Sequence, residues 1–297
     1  MKYGLPYKGS KNSIAQKIVD ALPSGESFCD ACCGGGAILM ASALSGKYAR
    51  VTGYDINEAI IGLIRATMID FGTIDYEHDL PSVDRNAFFE ARNRNAGISD
   101  WLVRYCYSFG NDGQTFIWSD KTHEGFRLLE DAIRSETLDE RVHAMQELSK
   151  RKDALELMSR VEPFVRLRRI KKVEQTMMAR KTTTCIDVGV KSMFDVDYEP
   201  FDVIYFDPPY KNTKGYFKIK FDYSAFEKLI TRLSDEGKRV FVSEYSQPAD
   251  GFTCIAEFPK QVLIDKTGNT AGVERLYFGG TLEEYQDLDK SYLDFIH

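Results

Sequence analysis

The sequence predicts an α/β protein, one sheet interrupted by an inserted helical lobe, and three observations carry that prediction. The apolar run Phe201-Asp202-Val203-Ile204-Tyr205-Phe206 reads as a buried strand and is stopped by Asp207-Pro208-Pro209-Tyr210. A short strand, a glycine-rich turn and a helix follow one another from Ser27 to Ala41, and a second strand ends in Asp55. Between about residues 75 and 181 the strand–helix alternation disappears, over a stretch far longer than an ordinary loop.

Taken in order, the chain opens with Pro6-Tyr7-Lys8-Gly9-Ser10-Lys11, then a helical stripe of apolar residues at Ile14, Ala15, Ile18, Val19 and Leu22. Asn12 or Ser13 is the expected cap, and Pro23 the stop. Next comes Ser27-Phe28-Cys29-Asp30-Ala31-Cys32-Cys33-Gly34-Gly35-Gly36, leading into the helical Ala37 to Ala41. A turn of this composition lets a ligand approach the backbone closely. Val51-Thr52-Gly53-Tyr54-Asp55 reads as the second strand, and an acid at its end can accept both hydroxyls of a ribose. The triple glycine is not GxGxxG, so the fingerprint of nicotinamide cofactors is absent. Residues 57 to 72 continue as a helix, and alternation resumes at Thr183 to Val188. Val240 to Glu244 is a further strand, followed by a candidate antiparallel pair at Thr253 to Phe258 and Glu274 to Gly279. The expected organisation is a discontinuous sheet domain (1–74 and 182–297) around a helical insertion (75–181).

Composition narrows the class. With 297 residues, 43% of them hydrophobic, the chain can bury a sizeable core. No run approaches the roughly 18 apolar residues of a membrane span, and the start lacks the apolar core of a signal peptide. A soluble cytoplasmic protein is expected. Cys29, Cys32 and Cys33 form a CxxCC, yet no second CxxC or histidine pair completes a zinc set, so no metal is expected. The net charge of −6 argues against a wholly basic nucleic-acid binder. Residues 141 to 181 nevertheless hold 12 Lys and Arg against 5 Asp and Glu, a local +7 that leaves −13 on the remainder. Such a run is either a solvated helical face or a phosphate-contacting surface. Arg166, Arg168, Arg169, Lys171 and Lys172 are the candidates for phosphate contact.

Asp207-Pro208-Pro209-Tyr210 has both a plain and a chemical reading. Two prolines end a strand because neither can donate to the ladder. They also stiffen the turn at the strand's carboxyl edge, where open α/β sheets bind ligands. A carboxylate, a fixed carbonyl and an aromatic ring suit a planar base bearing an exocyclic amine. Asp207 and the Pro208 carbonyl could accept the amino protons while Tyr210 stacks on the ring.

Four motifs in register then point to a family. Pro6 to Lys11, the Asp30 to Gly36 turn, Asp55-Ile56-Asn57 and Asp207 to Tyr210 resemble the Dam-like, D12-class adenine-specific DNA methyltransferases. The longer Asp207 to Tyr216 pattern is similar to phage members. The resemblance implies a Rossmann-like methyltransferase sheet with an inserted target-recognition lobe, S-adenosylmethionine as cofactor and double-stranded DNA as partner. It needs neither a membrane nor an obligatory protein partner. Position by position, Tyr7 and Lys11 match residues lining the cofactor pocket, Gly34 and Gly36 the glycines beside the methionine moiety, and Asp30 the acid near its amino group. Asp55 matches the ribose-binding acid, and Asp187 stands where a contact to the cofactor adenine is expected. Asp207, Pro208, Pro209 and Tyr210 match the catalytic motif, with Asp207 also at the cofactor. Cys32 departs from the pattern, which commonly has Phe there, packed on the cofactor.

The implied reaction is direct methyl transfer to the amino group of an adenine flipped from the duplex, without metal or covalent enzyme intermediate. Loops of the lobe would read base edges, with Ser108 to Asn111 a candidate on the DNA side. The same pocket could serve RNA or another amine, and a DNA-binding module without catalysis is the second alternative.

Overall fold

The protein's structure, a computed structural model, describes residues 2–76, 83–118, 125, 127–129, 131–132, 134–151, 162–210, 221–259 and 273–288. The Lys211 to Tyr216 part of the phage-like pattern lies outside the described residues.

Among the described residues, seven strands form one sheet: β1 (Gly25–Asp30), β2 (Tyr48–Asp55), β3 (Cys185–Val190), β4 (Val203–Phe206), β5 (Arg239–Glu244), β6 (Phe252–Pro259) and β7 (Val273–Gly279). Their order is β3-β2-β1-β4-β5-β7-β6. β1 to β5 pair in parallel, and β7 runs antiparallel between β5 and β6. The pair expected at 253–258 and 274–279 is present as these last two strands. Burial explains the sequence of the central strands. All four residues of β4 are buried, as expected for a strand covered on both faces, and they form an unbroken apolar run. Phe28 and Cys29 of β1 are fully buried and face opposite sides, one in each of the two cores that sandwich the sheet. Cys29 is therefore a core residue, and it is free of any disulfide.

Helices α1 (Ala15–Ala21), α2 (Ala37–Ser45) and α3 (Glu58–Met68) contribute to the larger core. Neither Asn12 nor Ser13 caps α1. Its first turn is instead entered through a tight turn in which the Ile14 amide donates to the Lys11 carbonyl, and no side chain supplies a cap bond. The segment expected to be helical contains α4 (Arg85–Arg94), α5 (Ile98–Cys106), α6 (Leu138–Ser149) and α7 (Glu162–Met178). α3 packs against both α5 and α7. Gly62 makes this possible, because a Cβ there would lie 2.1 Å from the Trp101 ring. Phe88, Leu102, Ile170 and Val173 join the same core as Ile60 and Ile64 of α3. On the other face of the sheet, α8 (Tyr223–Asp235) buries Phe226, Leu229, Ile230 and Leu233.

The parallel register sets up the site. Asp30 ends β1, Asp55 ends β2 and Asp207 directly follows β4, so three acids converge on one edge of the sheet. That edge is the carboxyl one, where an open α/β sheet leaves its crevice.

Candidate active site

A cleft of about 420 Å3 opens at this edge, lined by Tyr7, Lys11, Asp30, Gly34, Asp55 and the whole Asp207 to Tyr210 turn, among others. At the β1–β2 end, Gly34 takes a left-handed φ of 47°, which glycine adopts without steric cost. A side chain there would also strike the Tyr7 ring, 2.9 Å from the position of its Cβ. The Gly34 amide donates to Asp55 Oδ2 at 3.0 Å and the Asn57 amide to Oδ1 at 2.9 Å, so the Asp55 carboxylate is fixed from two sides. Asn57 also donates through its side chain to the Tyr105 hydroxyl at 2.7 Å, which ties α5 to the cleft wall.

Asp30 is different. It is 1% exposed, and neither carboxylate oxygen meets a hydrogen-bond donor at bonding geometry among the described residues. Burial, followed by the nearby Asp207 and Asp55 carboxylates, raises its pKa well above the usual range, and the Cys32 and Leu39 backbone amides oppose the rise without offsetting it. A buried carboxylate faced only by poorly aligned amides is costly, and a cationic ligand group placed beside it would lower the cost.

The β4 end is already paired. Lys11 Nζ donates to both Asp207 oxygens, at 2.6 and 2.7 Å, and lies 3.6 Å from Glu274 of β7. The Tyr210 hydroxyl sits between two carboxylates and shares its one proton between Asp207 Oδ1, at 3.0 Å, and Glu274 Oε1. The Lys11 ammonium lies 4.8 Å from the Tyr210 ring centroid, and Tyr245 packs edge-on against that ring at 4.6 Å. Burial is the main force raising the Asp207 pKa; Lys11 opposes it and Glu274 adds to it. Glu244, at the end of β5, is pushed up to about 7, first by burial and then by Asp207 and Glu274.

Several residues expected at the site lie elsewhere. Asp187 does not line the cleft; it is exposed on edge strand β3, 3.6 Å from Arg65. The residues after that strand, Ser192, Met193 and Phe194, face the cleft instead. Gly36 is the left-handed residue that starts α2, and a Cβ there would point at Ile64 and Met68 rather than into the cleft. Gly35 takes its place in the lining. Arg166 is buried and donates to the carbonyls of Cys106 and Ser108, at 2.8 and 2.6 Å. Arg169 donates to the carbonyls of Gly4 and Tyr3, at 3.0 and 2.9 Å. Both are therefore corrected from phosphate contacts to internal ties, because helical phase turns them toward the apolar side of α7. Arg168, Lys171 and Lys172 remain exposed on the other side. Lys171 also lies 5.4 Å from the Tyr76 ring centroid.

Where the resemblance leads one to expect Phe, Cys32 packs against Met193, with the two sulfurs 3.8 Å apart. Phe194, Phe221 and Tyr245 supply aromatic surface to the cleft. The Ser108 to Asn111 loop borders the rim, where the Lys8 amide donates to the Asn111 carbonyl at 3.2 Å. Phe109 at its tip is 66% exposed. Glu274 and Glu244 were not anticipated. For Glu274 a signal existed: alternation along Glu274, Leu276 and Phe278 puts a carboxylate on the core-facing side of a strand, where it must find a partner.

Among solved structures, the chain is similar to two of the rRNA methyltransferase AviRa from Streptomyces viridochromogenes. The first match has 12% identity and a TM-score of 0.38, covering 89% of this chain and 81% of the other. The second has the same identity and TM-score, with coverages of 91% and 84%. No match was found among curated proteins. The family model of the D12 class N6 adenine-specific DNA methyltransferases matches residues 7–250. S-adenosylmethionine, the methyl donor of such enzymes, fits the residues present. A cationic ammonium would complement the buried Asp30, whose own amide contacts are poorly aligned, and the glycine turn leaves room beside it. With the match spanning most of the chain and the motif acids gathered at one sheet edge, the protein belongs to the D12 class of N6 adenine-specific DNA methyltransferases.

Proposed function

We propose that the protein methylates the amino nitrogen of an adenine flipped out of duplex DNA. The observation that carries this reading is Asp207-Pro208-Pro209-Tyr210 at the end of β4, in the same cleft as the buried Asp30 and the Gly34 turn. S-adenosylmethionine supplies a methyl group activated by its sulfonium charge.

In this reading Asp30 neutralises the donor's ammonium and Asp55 receives its ribose, while Tyr7 and the Gly34–Gly35 backbone form the wall beside them. Ser192 to Phe194 take the place first given to Asp187. Asp207, 19% exposed at its side chain and facing the cleft, accepts a hydrogen bond from the base amino group. The Pro208 carbonyl accepts the second, and Tyr210 stacks on the base once its hydroxyl gives up Asp207. Most of the acceleration comes from orientation, since the methyl is already activated. Overall, one amino hydrogen is exchanged for a methyl group. The proton goes to solvent, and the electron pair of the broken carbon–sulfur bond stays on sulfur.

The 75–181 segment acts as the target-recognition insertion in this scheme. Arg168, Lys171 and Lys172 contact phosphates, and the Ser108 to Asn111 loop faces the DNA. Its position at the cleft rim and the exposure of Phe109 support that orientation.

The deciding experiment is transfer from radiolabelled S-adenosylmethionine to duplex DNA, RNA and protein, followed by nucleoside analysis. Label in N6-methyladenine from DNA is the expected result. Label confined to RNA or protein would replace the substrate while keeping the pocket. Absence of both transfer and cofactor binding would overturn the reading.

A further inference from the structure

Glu274 belongs to neither the recognised motifs nor the segment matched by the family, which stops at residue 250. It is the second residue of β7 and has no exposed surface. Its neighbour Arg275 points the other way, to Glu257 at 2.7 Å and the Tyr245 carbonyl. Strand alternation therefore aims the Glu274 carboxylate inward, beneath the transfer site. There it meets Lys11 and the Tyr210 hydroxyl, the same two groups that engage Asp207.

The arrangement poses a problem that Glu274 solves. Asp207 must accept a hydrogen bond from the incoming amino group, yet Lys11 now donates to both of its oxygens. Moving a buried ammonium off one carboxylate costs least where a second carboxylate already stands beside it. Glu274 lies 3.6 Å from that ammonium, so a movement of less than about 1 Å brings the two to ordinary charge-assisted bonding distance. The two carboxylates differ in access: Asp207 is 19% exposed at its side chain and Glu274 not at all, so a base can reach the first and not the second.

We propose that Glu274 is a positioning residue of the transfer site, anchoring the Tyr210 phenol and receiving the Lys11 ammonium when the target amino group takes over Asp207. The proposal rests on the DNA-adenine reading above. Glu274 touches neither base nor donor; it acts through Lys11 and Tyr210.

The test compares full-length wild type with Glu274→Gln, measuring single-turnover methyl transfer at saturating duplex DNA and S-adenosylmethionine, cofactor binding, and the pH profile of the rate. Glutamine keeps a hydrogen-bond acceptor for Tyr210 and loses the charge that receives Lys11. The expected result is cofactor affinity within twofold of wild type and a transfer rate at least tenfold lower. The acid limb should also shift to lower pH, because removing a carboxylate makes the neighbouring Asp207 easier to ionise. Among the described residues, the titratable groups acting on Asp207 include Lys11, Tyr210, Glu274, Glu244, Tyr205, Asp30 and Cys32, and the substitution changes one of them. Should Glu274→Gln fail to fold, Glu274→Asp is read instead. It retains the charge one methylene further away and should lose rate but keep the wild-type acid limb.

A wild-type rate and pH profile in Glu274→Gln would overturn the proposal and leave the functional reading intact. Parallel loss of rate and cofactor binding would make Glu274 merely structural and also overturn it. A wild type that transfers no methyl to DNA would overturn both.

Discussion

The two ends of the cleft hold the same kind of group in opposite states. At the β1–β2 end, the Asp30 carboxylate is buried with no donor at bonding geometry among the described residues, while backbone amides hold Asp55 beside it. At the β4–β7 end, Asp207 is bound by Lys11 and Tyr210, with Glu274 behind them. In the proposed reading the first end is a receptor formed in advance, ready for a cationic ligand without rearrangement. The second satisfies itself and must exchange partners before it can take a substrate. Cofactor binding should therefore cost little reorganisation, and the conformational cost falls on the target step.

Asp207→Ala tests that division most severely. Transfer should fall at least about a thousandfold while cofactor affinity changes by no more than a few-fold, since Asp30 and Asp55 remain in place. Equal loss of both would merge the two ends into one structural unit. Asp30→Asn is the mirror experiment. Cofactor affinity should weaken by about 10- to 100-fold, as expected for a charge-assisted bond, with a smaller effect on the rate at saturating cofactor. Direct binding titration of both variants separates the two outcomes.

The same contrast between engaged and available charge recurs on α7. Arg166→Met removes the donor for the Cys106 and Ser108 carbonyls and should cost about 3 kcal/mol of stability, measured by thermal or urea unfolding. Joint replacement of Arg168, Lys171 and Lys172 by Ala should leave stability nearly unchanged. It should reduce the slope of log affinity for DNA against log salt by about 2 to 3. If the slope does not move, α7 leaves the DNA path.

The smallest effect is expected at Glu244. Its pKa is raised to about 7 in the fold, first by burial, so the folded state holds this proton more tightly than the unfolded chain does. Stability from this group is present at low pH and is lost as pH rises through about 7. Glu244→Gln should therefore be more stable than wild type at pH 8, by at most about 2–3 kcal/mol, with the gain shrinking toward pH 5. A gain independent of pH would trace to packing instead.

Sequence reading located the groups whose placement follows from chain order alone. Asp30, Asp55 and Asp207 each come at the end of an apolar run, and parallel pairing brings such ends together. It failed where phase or a distant partner decides. Charge count alone treated Arg166 and Arg168 as equals, yet Arg166 shares a helical face with Ile170, Val173 and Met177, all buried. Asp187 was placed by its position relative to other motifs, but the pleat of β3 turns it outward onto Arg65. Gly36 serves the packing of α2 on α3, a demand that glycine spacing does not separate from ligand contact. Lys11 and Glu274 meet only because β7 reverses direction beside β5, a pairing that no local motif announces.

That reversed strand also has a bearing on how the enzyme is made. The glycine turn, Asp30 and Asp55 come with the first two strands, whereas the floor beneath Lys11 and Tyr210 arrives with β7, the last of the described strands. Contacts of such high sequence separation form late, and synthesis from the amino terminus delays them further. A nascent chain that had not yet reached β7 would carry Asp30 and Asp55 but lack the buried carboxylate beneath Lys11 and Tyr210, so this cluster is completed only after the sheet's last strand is made.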